Sequence, residues 1–436
     1  MINHNAEAPK ATIAWIRASA ADAPAPIVAA ASLGYLVVDS AECGARPDVA
    51  VIDIRGARAA ADPLVSNARR LAPSAGILIV ADRETPALAR AMLRRQADAA
   101  FAGRDASSVI PIIREKLRLA SLTDEFGDRI KSLVADQRPV AFAGLASAPA
   151  SISILIAGRP SPLAMCAVNA VRRTAAQTIC LLSAGQTMRA LDHSRFDGAV
   201  LLPADENDLL LALARALRRH REHRRLPVII ASADEALLDR CSSRDGFQTI
   251  LAEHIEPDLP QRLRTAARRA SLAAAMRGFL RSPEGCAGTS AAASARFFAA
   301  HANRIIRLSD DAGRPVSLVG LTVNARRAKD ANAAEEPPLD DAARTAARLV
   351  RAEDLIAKLT SDTLVLMLRN TREAEAARAA SRLEGVIAGT LDRAALKSSH
   401  VRARGVERAP GEDLETALAR LIRSLRDAPA VTARLR

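Results

Sequence analysis

Short apolar runs recur through the first part of the chain, and each is separated from the next by a stretch long enough to hold a helix. They form two series of five, Thr12–Ile16, Tyr35–Val38, Val49–Ile52, Gly76–Val80 and Ala99–Phe101, then Ser151–Ile156, Ile179–Leu182, Ala199–Leu202, Pro227–Ile230 and Thr249–Leu251. Strand-length apolar runs that alternate with helical stretches are typical of a doubly wound α/β domain with a parallel sheet. The pattern therefore predicts two tandem domains of this class.

The remainder of the chain follows another pattern. Two apolar runs, Leu355–Leu359 and Leu364–Leu368, are separated by the polar residues Thr360–Thr363. This arrangement predicts a β-hairpin. The spacing of apolar positions predicts an amphipathic helix at Arg372–Ile387.

Changes in composition mark the domain boundaries. Residues 121–136 are charged and helical in pattern, Ala141–Ala150 is a stretch of mostly small residues, and Ser282-Pro283-Glu284-Gly285 is a break. We therefore predict domains at residues 1–123, 151–280 and 285–436, with a helical linker at residues 124–150.

The chain has 436 residues and a formal net charge of +13 at pH 7, which raises the question of nucleic-acid binding. The excess is almost entirely arginine. Aromatic residues make up only 2% of the chain, so a base-stacking platform is not expected. The densest basic run, Arg218–Arg225, follows an apolar helical stretch, and positive charge suits a helix C-terminus. Nucleic acid is therefore not an expected partner.

The cysteines and the hydropathy pattern bear on the compartment. Cys43, Cys166, Cys180, Cys241 and Cys286 are scattered without a Cys-x-x-Cys pair, which predicts reduced, mostly buried thiols. The N-terminus does not have the pattern of a secretory signal, and no apolar run reaches the ~18 residues of a membrane span. We expect a cytoplasmic protein without a membrane span.

The segment around the hairpin carries the most specific motif. Arg351-Ala352-Glu353-Asp354 ends five residues before Thr360-Ser361-Asp362-Thr363-Leu364. This arrangement resembles the GGDEF domain, the α+β, nucleotidyl-cyclase-like fold of the diguanylate cyclases that make cyclic di-GMP from two GTP. In that family an Arg-x-x-Asp with this spacing binds the product, and an arginine of the following helix reaches the same site. The resemblance implies a cyclic di-GMP site at Arg351, Asp354 and Arg382.

The catalytic signature of that family is degenerate in this chain. The two glycines that let the backbone approach the nucleotide correspond to Thr360-Ser361, and Thr363 replaces the second acid, after Asp362. Thr322 and Asn324 stand where the family's first strand supplies a metal-binding carboxylate. Phosphoryl transfer depends on metal ions that neutralise developing charge. We therefore expect no catalytic residues, no metal site and no cyclase activity.

The first domain resembles a response-regulator receiver, a flavodoxin-like fold. Pro47–Asp53 matches the third strand of a receiver and places Asp53 at the phosphoacceptor position. Arg17 and Ala18 replace the acidic pair that holds magnesium, and Ala81 stands where a Ser or Thr is expected. Asp53 is therefore a candidate phosphoacceptor in a degenerate receiver-like domain.

The second domain repeats the receiver-like pattern without an acceptor. Phe196–Leu202 aligns with the Asp53 segment and puts Leu202 at the acceptor position, which indicates an adaptor. Two receiver-like domains before a degenerate GGDEF domain resemble the PleD-like response regulators. The resemblance implies a non-catalytic, cyclic di-GMP-responsive effector of two-component type that requires no cofactor. Expected partners are cyclic di-GMP, other signalling or cell-cycle proteins, and a second copy bound through the receiver-like domains; recruitment to a cell pole is a further expectation.

Three alternatives stay open. The chain can be a nucleotide-independent scaffold in which Arg351 and Asp354 form only an ion pair, which at a surface is worth ~0–1 kcal/mol. Residual diguanylate cyclase activity would require metal ligands that the sequence does not show. A DNA-binding regulator would require a helix-turn-helix or a basic arm. Titration with cyclic di-GMP separates the scaffold from the effector.

Overall fold

The computed structural model describes residues 11–17, 35–39, 47–55, 61–71, 76–81, 92, 97–102, 110–137, 152–174, 176–220, 223, 226–279, 291–325, 338–393 and 399–427. These residues fall into two compact units. The first unit is drawn from residues 11–120 and 148–271, and the second unit from residues 121–147 and 272–436.

The first unit contains two five-stranded parallel sheets. The first sheet comprises β1 (Thr12–Arg17), β2 (Leu36–Asp39), β3 (Val49–Asp53), β4 (Gly76–Ala81) and β5 (Ala99–Ala102), in the order β2-β1-β3-β4-β5. Helix α1 (Ala61–Leu71) follows β3, and helix α2 (Ile110–Ala135) follows β5. The central strand β3 is buried along its whole length, because both faces of such a sheet are covered.

The second sheet follows the same plan. It comprises β6 (Ser153–Gly158), β7 (Gln177–Leu181), β8 (Gly198–Leu202), β9 (Val228–Ser232) and β10 (Gln248–Leu251), in the order β10-β9-β8-β6-β7. The helices are α3 (Pro162–Arg172), α4 (Ala184–His193), α5 (Leu209–Arg219), α6 (Glu235–Ser243) and α7 (Ile255–Phe279). Side-chain oxygens accept hydrogen bonds from the first turns of α3 to α6 and so fix where these helices begin; they belong to Ser161, Ser183, Asp208 and Asp234.

Both sheets therefore have the strand order 2-1-3-4-5 that flavodoxin-like domains share. Each of the ten strands predicted from the sequence overlaps an observed strand, so the doubly wound pattern is confirmed. The assignment of the two sheets to tandem receiver-like domains, with boundaries at residues 123, 150 and 280, stays a prediction.

The second unit is built on a mixed, mainly antiparallel sheet. It comprises β11 (Ala293–Ser294), β12 (Val316–Ala325), β13 (Leu355–Lys358), β14 (Thr363–Arg369) and β15 (Ser399–Glu407), in the order β11-β13-β14-β12-β15. The helices that cover it are α8 (Ala295–Asp311), α9 (Pro338–Leu349), α10 (Glu373–Arg393) and α11 (Leu414–Asp427). The predicted hairpin is confirmed as β13 and β14, which pair antiparallel.

Two hydrophobic cores lie on opposite faces of this sheet, because alternate residues of a strand point to opposite sides. Val365 of β14 belongs to the core that includes α8 and α11, and its neighbour Leu366 belongs to the core that includes α9 and α10. Helix α10 packs tightly against β15 at Gly405. A Cβ there would lie 2.7 Å from the carbonyl carbon of Ala376, so the packing requires glycine.

The C-terminal parts of α2 and α7 also belong to the second unit, from residues 121 and 272 onward. Leu133 of α2 and Phe279 of α7 are fully buried in the same core as Phe297 of α8. The segment predicted as a linker thus begins inside a helix that forms part of a core. Its residues 138–150 lie outside the described residues.

The thiols differ from the prediction. Cys241 is buried, but Cys166 and Cys180 are exposed, so the prediction of mostly buried thiols is wrong for two of the three described cysteines. Cys180 lies on the edge strand β7, none of whose residues is buried. Cys43 and Cys286 lie outside the described residues. In the described part of the chain, no helix is long and apolar enough to span a membrane.

Candidate functional site

The Arg-x-x-Asp motif forms a closed turn between α9 and β13. The Asp354 carboxylate accepts a hydrogen bond from the Arg351 backbone N–H at 2.9 Å, and the Asp354 N–H donates to the Arg351 carbonyl at 3.3 Å. Asp354 is only 6% exposed, whereas Arg351 is exposed. The turn therefore holds its acid inside and presents its arginine to solvent. We refer to residues 351–354 as the ligand turn, because the sequence predicts a cyclic di-GMP site there.

The third predicted residue reaches the same corner of the second unit. Arg382 is exposed on α10, and its Nη2 donates to the carbonyl of Leu349 at 3.1 Å. Leu349 is the last residue of α9, two positions before Arg351. Among the residues described by the structure, no hydrogen bond or ion pair engages the Arg351 guanidinium. The Arg382 guanidinium therefore lies at the end of α9, close along the chain to the exposed Arg351. The joint ligand site of Arg351, Asp354 and Arg382 stays a prediction.

Burial perturbs the acid of the ligand turn. The pKa of Asp354 is raised to about 7, mainly by loss of solvation on burial and also by the neighbouring carboxylates of Glu353 and Glu125. The charge of Arg351 and the hydrogen bond from its backbone N–H act in the opposite direction but do not offset burial. Asp354 therefore titrates near neutral pH.

A buried arginine from helix α2 lies behind the ligand turn. Arg129 is fully buried; its Nη2 donates to the Asp354 carbonyl at 3.3 Å and its Nη1 to the Met276 carbonyl at 3.5 Å. Its Nε donates to Glu125, one helical turn earlier, at 2.7 Å. Sequence reasoning missed this residue, because a Glu-x-x-x-Arg spacing in a charged helical stretch is the usual pattern of a solvated surface pair.

Glu125 is the centre of a buried charge network. Besides Arg129, it accepts from His301 Nε2 at 3.0 Å and from Arg369 Nη1 at 2.8 Å. Arg369 also donates to Asp128 at 3.1 Å. Burial alone would raise the pKa of Glu125, but His301, Arg129 and Arg369 together hold that pKa well below its ordinary value. The network therefore contains ionised groups inside the second unit.

Residues of the degenerate signature, Thr360–Leu364, form hydrogen bonds with one another. The hydroxyls of Thr360 and Thr363 donate to the same oxygen of Asp362, at 2.6 and 2.8 Å, and these hydrogen bonds lower the pKa of Asp362. The Asp362 carbonyl accepts from the Val323 N–H of β12 at 2.9 Å. The remaining carboxylate of the signature is thus engaged in holding the hairpin turn. Ser361 and Leu364 add no charged group.

The positions of the family's other carboxylates lie beside this turn. Thr322 of β12 pairs with Thr363 of β14 on one side and with Arg402 of β15 on the other. Paired residues of antiparallel strands point to the same face, so this row holds two threonines and an arginine. Asn324 pairs with His400. Across the described part of the chain, no three His, Cys, Asp or Glu side chains are grouped as a metal site would require.

Asp53 lies at the carboxyl end of β3, where doubly wound folds place their chemistry. Its side chain is buried, and Arg55 covers it: the Arg55 Nε donates to one carboxylate oxygen at 3.0 Å and Nη2 to the other at 3.1 Å. The Arg55 backbone N–H adds a third hydrogen bond at 3.1 Å. A guanidinium fork therefore occupies the candidate phosphoacceptor. Leu202 ends β8 in the second sheet.

Comparisons with known proteins give structural likenesses only. No protein-family model matches the sequence, and no curated protein matches it. Among solved structures, the chain is similar to the GGDEF domain of DgcB from Caulobacter crescentus in complex with c-di-GMP, at 13% identity and a TM-score of 0.25 over 31% of this chain and 82% of that chain. It is similar to a DGC protein from Thermotoga maritima, at 14% identity and a TM-score of 0.25 over 31% of this chain and 95% of that chain. NtrX from Brucella abortus, in complex with ADP, matches at 14% identity and a TM-score of 0.24, over 51% of this chain and 59% of that chain. Likenesses at these TM-scores carry no argument about function.

Proposed function

We propose that this chain is a non-catalytic, cyclic di-GMP-responsive signalling effector that binds its ligand at Arg351, Asp354 and Arg382. The observation that carries the proposal is that Arg382, exposed on α10, is anchored at the Leu349 carbonyl, two residues before the exposed Arg351. Within the described residues, no hydrogen bond or ion pair engages the Arg351 guanidinium. Arg351 itself stands on a turn that is closed by hydrogen bonds with Asp354.

The chemistry of this corner suits a cyclic dinucleotide. A guanidinium donates in a planar fork to a phosphate or to the acceptor edge of guanine, and each charge-assisted hydrogen bond contributes roughly 1.5–3 kcal/mol. When it is ionised, at a pH above about 7, the Asp354 carboxylate can accept from guanine N–H groups. Cyclic di-GMP carries two phosphates and two guanines, so one ligand can engage both arginines and the acid.

The hairpin argues against synthesis from GTP. The positions where the family needs carboxylates hold Thr322, Asn324 and Thr363, and Arg402 pairs with Thr322 in the same row. A guanidinium beside such a site repels a divalent cation. Asp362 is engaged by two hydroxyls of its own turn. These observations support binding without catalysis, with no cofactor required.

The receiver-like part fits a role as an adaptor. The Arg55 fork over Asp53 and the apolar Leu202 at the equivalent strand end both disfavour phosphoryl transfer there. Signalling or cell-cycle proteins, or a second copy of this chain, are the partners we propose for these domains. Location in the cytoplasm, with recruitment to a cell pole, belongs to the same proposal.

One observation favours the alternative of a scaffold that binds no nucleotide. The Asp354 carboxylate is buried and already accepts from the Arg351 backbone N–H, as it would in a purely structural turn. In that case Arg351 would be a solvated side chain and Arg382 a helix-end cap for α9.

Calorimetric titration with cyclic di-GMP tests the proposal against the scaffold. The parent should bind saturably, and an Arg351→Ala, Arg382→Ala variant should bind at least about a hundredfold more weakly if each arginine supplies one charge-assisted contact. The matched control is Arg423→Ala, an exposed arginine on α11, which covers the opposite face of the sheet. No binding by the folded parent at tens of micromolar protein would leave the scaffold as the better account.

A further inference from the structure

We propose that Arg129 is a positioning residue for the ligand turn, and that occupancy of the turn is coupled through it to the C-terminal part of helix α2. This inference rests on the proposed function, because it concerns the regulation of the same site. Arg129 is not among the residues that we propose to bind the ligand, and it contacts the turn at the backbone carbonyl of Asp354.

The contacts of Arg129 join three separate segments of the second unit. Nε bonds to Glu125 within α2, Nη1 bonds to the Met276 carbonyl of α7, and Nη2 bonds to the Asp354 carbonyl. The guanidinium lies 5.4 Å from the ring centre of Phe279. A planar fork whose nitrogens have fixed relative positions sets the distance between the two carbonyls. The Asp354 carbonyl is thus held from the inner side of the turn.

The network keeps Arg129 from moving to other partners. Its counterion Glu125 is fully buried and is shared with His301 and Arg369. His301 Nδ1 in turn lies 3.0 Å from the Ser132 hydroxyl on α2. Rearrangement of Arg129 would leave a buried carboxylate short of a partner, which is costly. Residues 125–132 of α2 and the ligand turn are therefore linked by contacts that have few alternatives.

The same turn has an inner and an outer side. On the inner side, the Asp354 carbonyl accepts a hydrogen bond from Arg129. On the outer side, the exposed side chain of Arg351 is the group that we expect to contact the ligand. A ligand that binds only when the turn has the position seen here binds best to the state in which Arg129 donates to the Asp354 carbonyl. Coupling of this kind is reciprocal, so ligand binding must also favour the packed state of α2. Helix α2 would then report the occupancy of the site.

The first arm of the test needs no variant. Amide hydrogen exchange is measured on the 436-residue chain with and without saturating cyclic di-GMP, in peptides that cover residues 121–135. We expect slower exchange in the liganded protein there and in the ligand turn. Ligand binding with unchanged exchange in residues 121–135 would overturn the coupling and leave the proposed function standing. Absence of binding would overturn both.

The second arm separates positioning from stability. Arg129→Lys keeps a positive charge beside Glu125 but cannot bridge both carbonyls, so the Kd for cyclic di-GMP should rise about tenfold or more. His301→Gln is the control, since it disturbs the same buried carboxylate without touching the turn. Both variants should lower the thermal midpoint, and only Arg129→Lys should weaken binding when compared well below that midpoint. An unchanged Kd in folded Arg129→Lys, or an equal loss in both variants, would contradict a positioning role.

Discussion

Asp354 makes the stability of the second unit depend on pH in a direction opposite to that of an ordinary salt-bridged carboxylate. Its pKa is raised by burial from an ordinary value of 3.8 to about 7. Between those values the folded protein holds a proton that the unfolded chain releases. The stabilisation is therefore fully present below about pH 4 and is lost as the pH rises through 7.

The perturbation that exposes this effect is Asp354→Asn. The amide oxygen can still accept from the Arg351 N–H, but the side chain no longer titrates. For one group with these two pKa values, the linkage relation gives a change of roughly 2–3 kcal/mol in the free energy of unfolding between pH 5 and pH 8. As the pH rises from 5 to 8, the free energy of unfolding of the variant should therefore increase by that amount relative to that of the parent. A difference between the two proteins that is the same at every pH does not affect this change.

The assay is urea unfolding at pH 5, 6, 7 and 8, followed by far-UV circular dichroism. Trp15, the only tryptophan, is buried in the first unit, so the fluorescence transition of that unit serves as an internal reference. Its midpoint should be the same in parent and variant at each pH. A difference between parent and variant that stays constant from pH 5 to pH 8 would refute the reasoning.

The remaining predictions concern the candidate phosphoacceptor, the hairpin and the packing of β15. Acetyl phosphate with Mg²⁺ should add no phosphoryl group to Asp53, since Arg55 covers both oxygens, and intact-mass spectrometry checks this. Incubation with GTP and Mg²⁺ should yield no cyclic di-GMP by chromatography, because the hairpin lacks paired carboxylates. Gly405→Ala should destabilise the second unit by about 1–3 kcal/mol in urea unfolding, because its Cβ would collide with Ala376. Gly385→Ala on α10 is the control; its Cβ meets nothing within 4 Å and should be neutral or stabilising by up to about 1 kcal/mol.

The strands and the hairpin could be predicted because their patterns are local. A buried parallel strand such as β3 reads as a continuous apolar run between polar flanks, and β13 and β14 are two such runs around a polar turn. The strand order of each sheet and the pairing of Thr322 with Thr363 depend on contacts between distant segments. No periodicity within one segment specifies these, so the sequence did not predict them.

The buried network shows what the sequence could not reveal. Glu125 and Arg129 have the spacing of a solvated pair. Nothing in the local sequence indicates that His301 and Arg369, which lie far along the chain, also bond to Glu125. The residues of the proposed ligand site could be named from the sequence because Arg-x-x-Asp is a contiguous motif, and Arg382 was added through the resemblance to the family. The sequence did not predict that Asp354 is buried or that its carboxylate accepts a hydrogen bond from the Arg351 backbone N–H, because burial depends on the packing of distant segments.

The most direct test of the account is a competition experiment on the parent protein. Radiolabelled cyclic di-GMP is equilibrated with the 436-residue chain by dialysis, and an excess of unlabelled cyclic di-GMP or of GTP with Mg²⁺ is added as competitor. The account predicts saturable retention of the label, displacement by cyclic di-GMP and no displacement by GTP. Failure to retain the label, or equal displacement by GTP, would contradict a product-type site that works without catalysis.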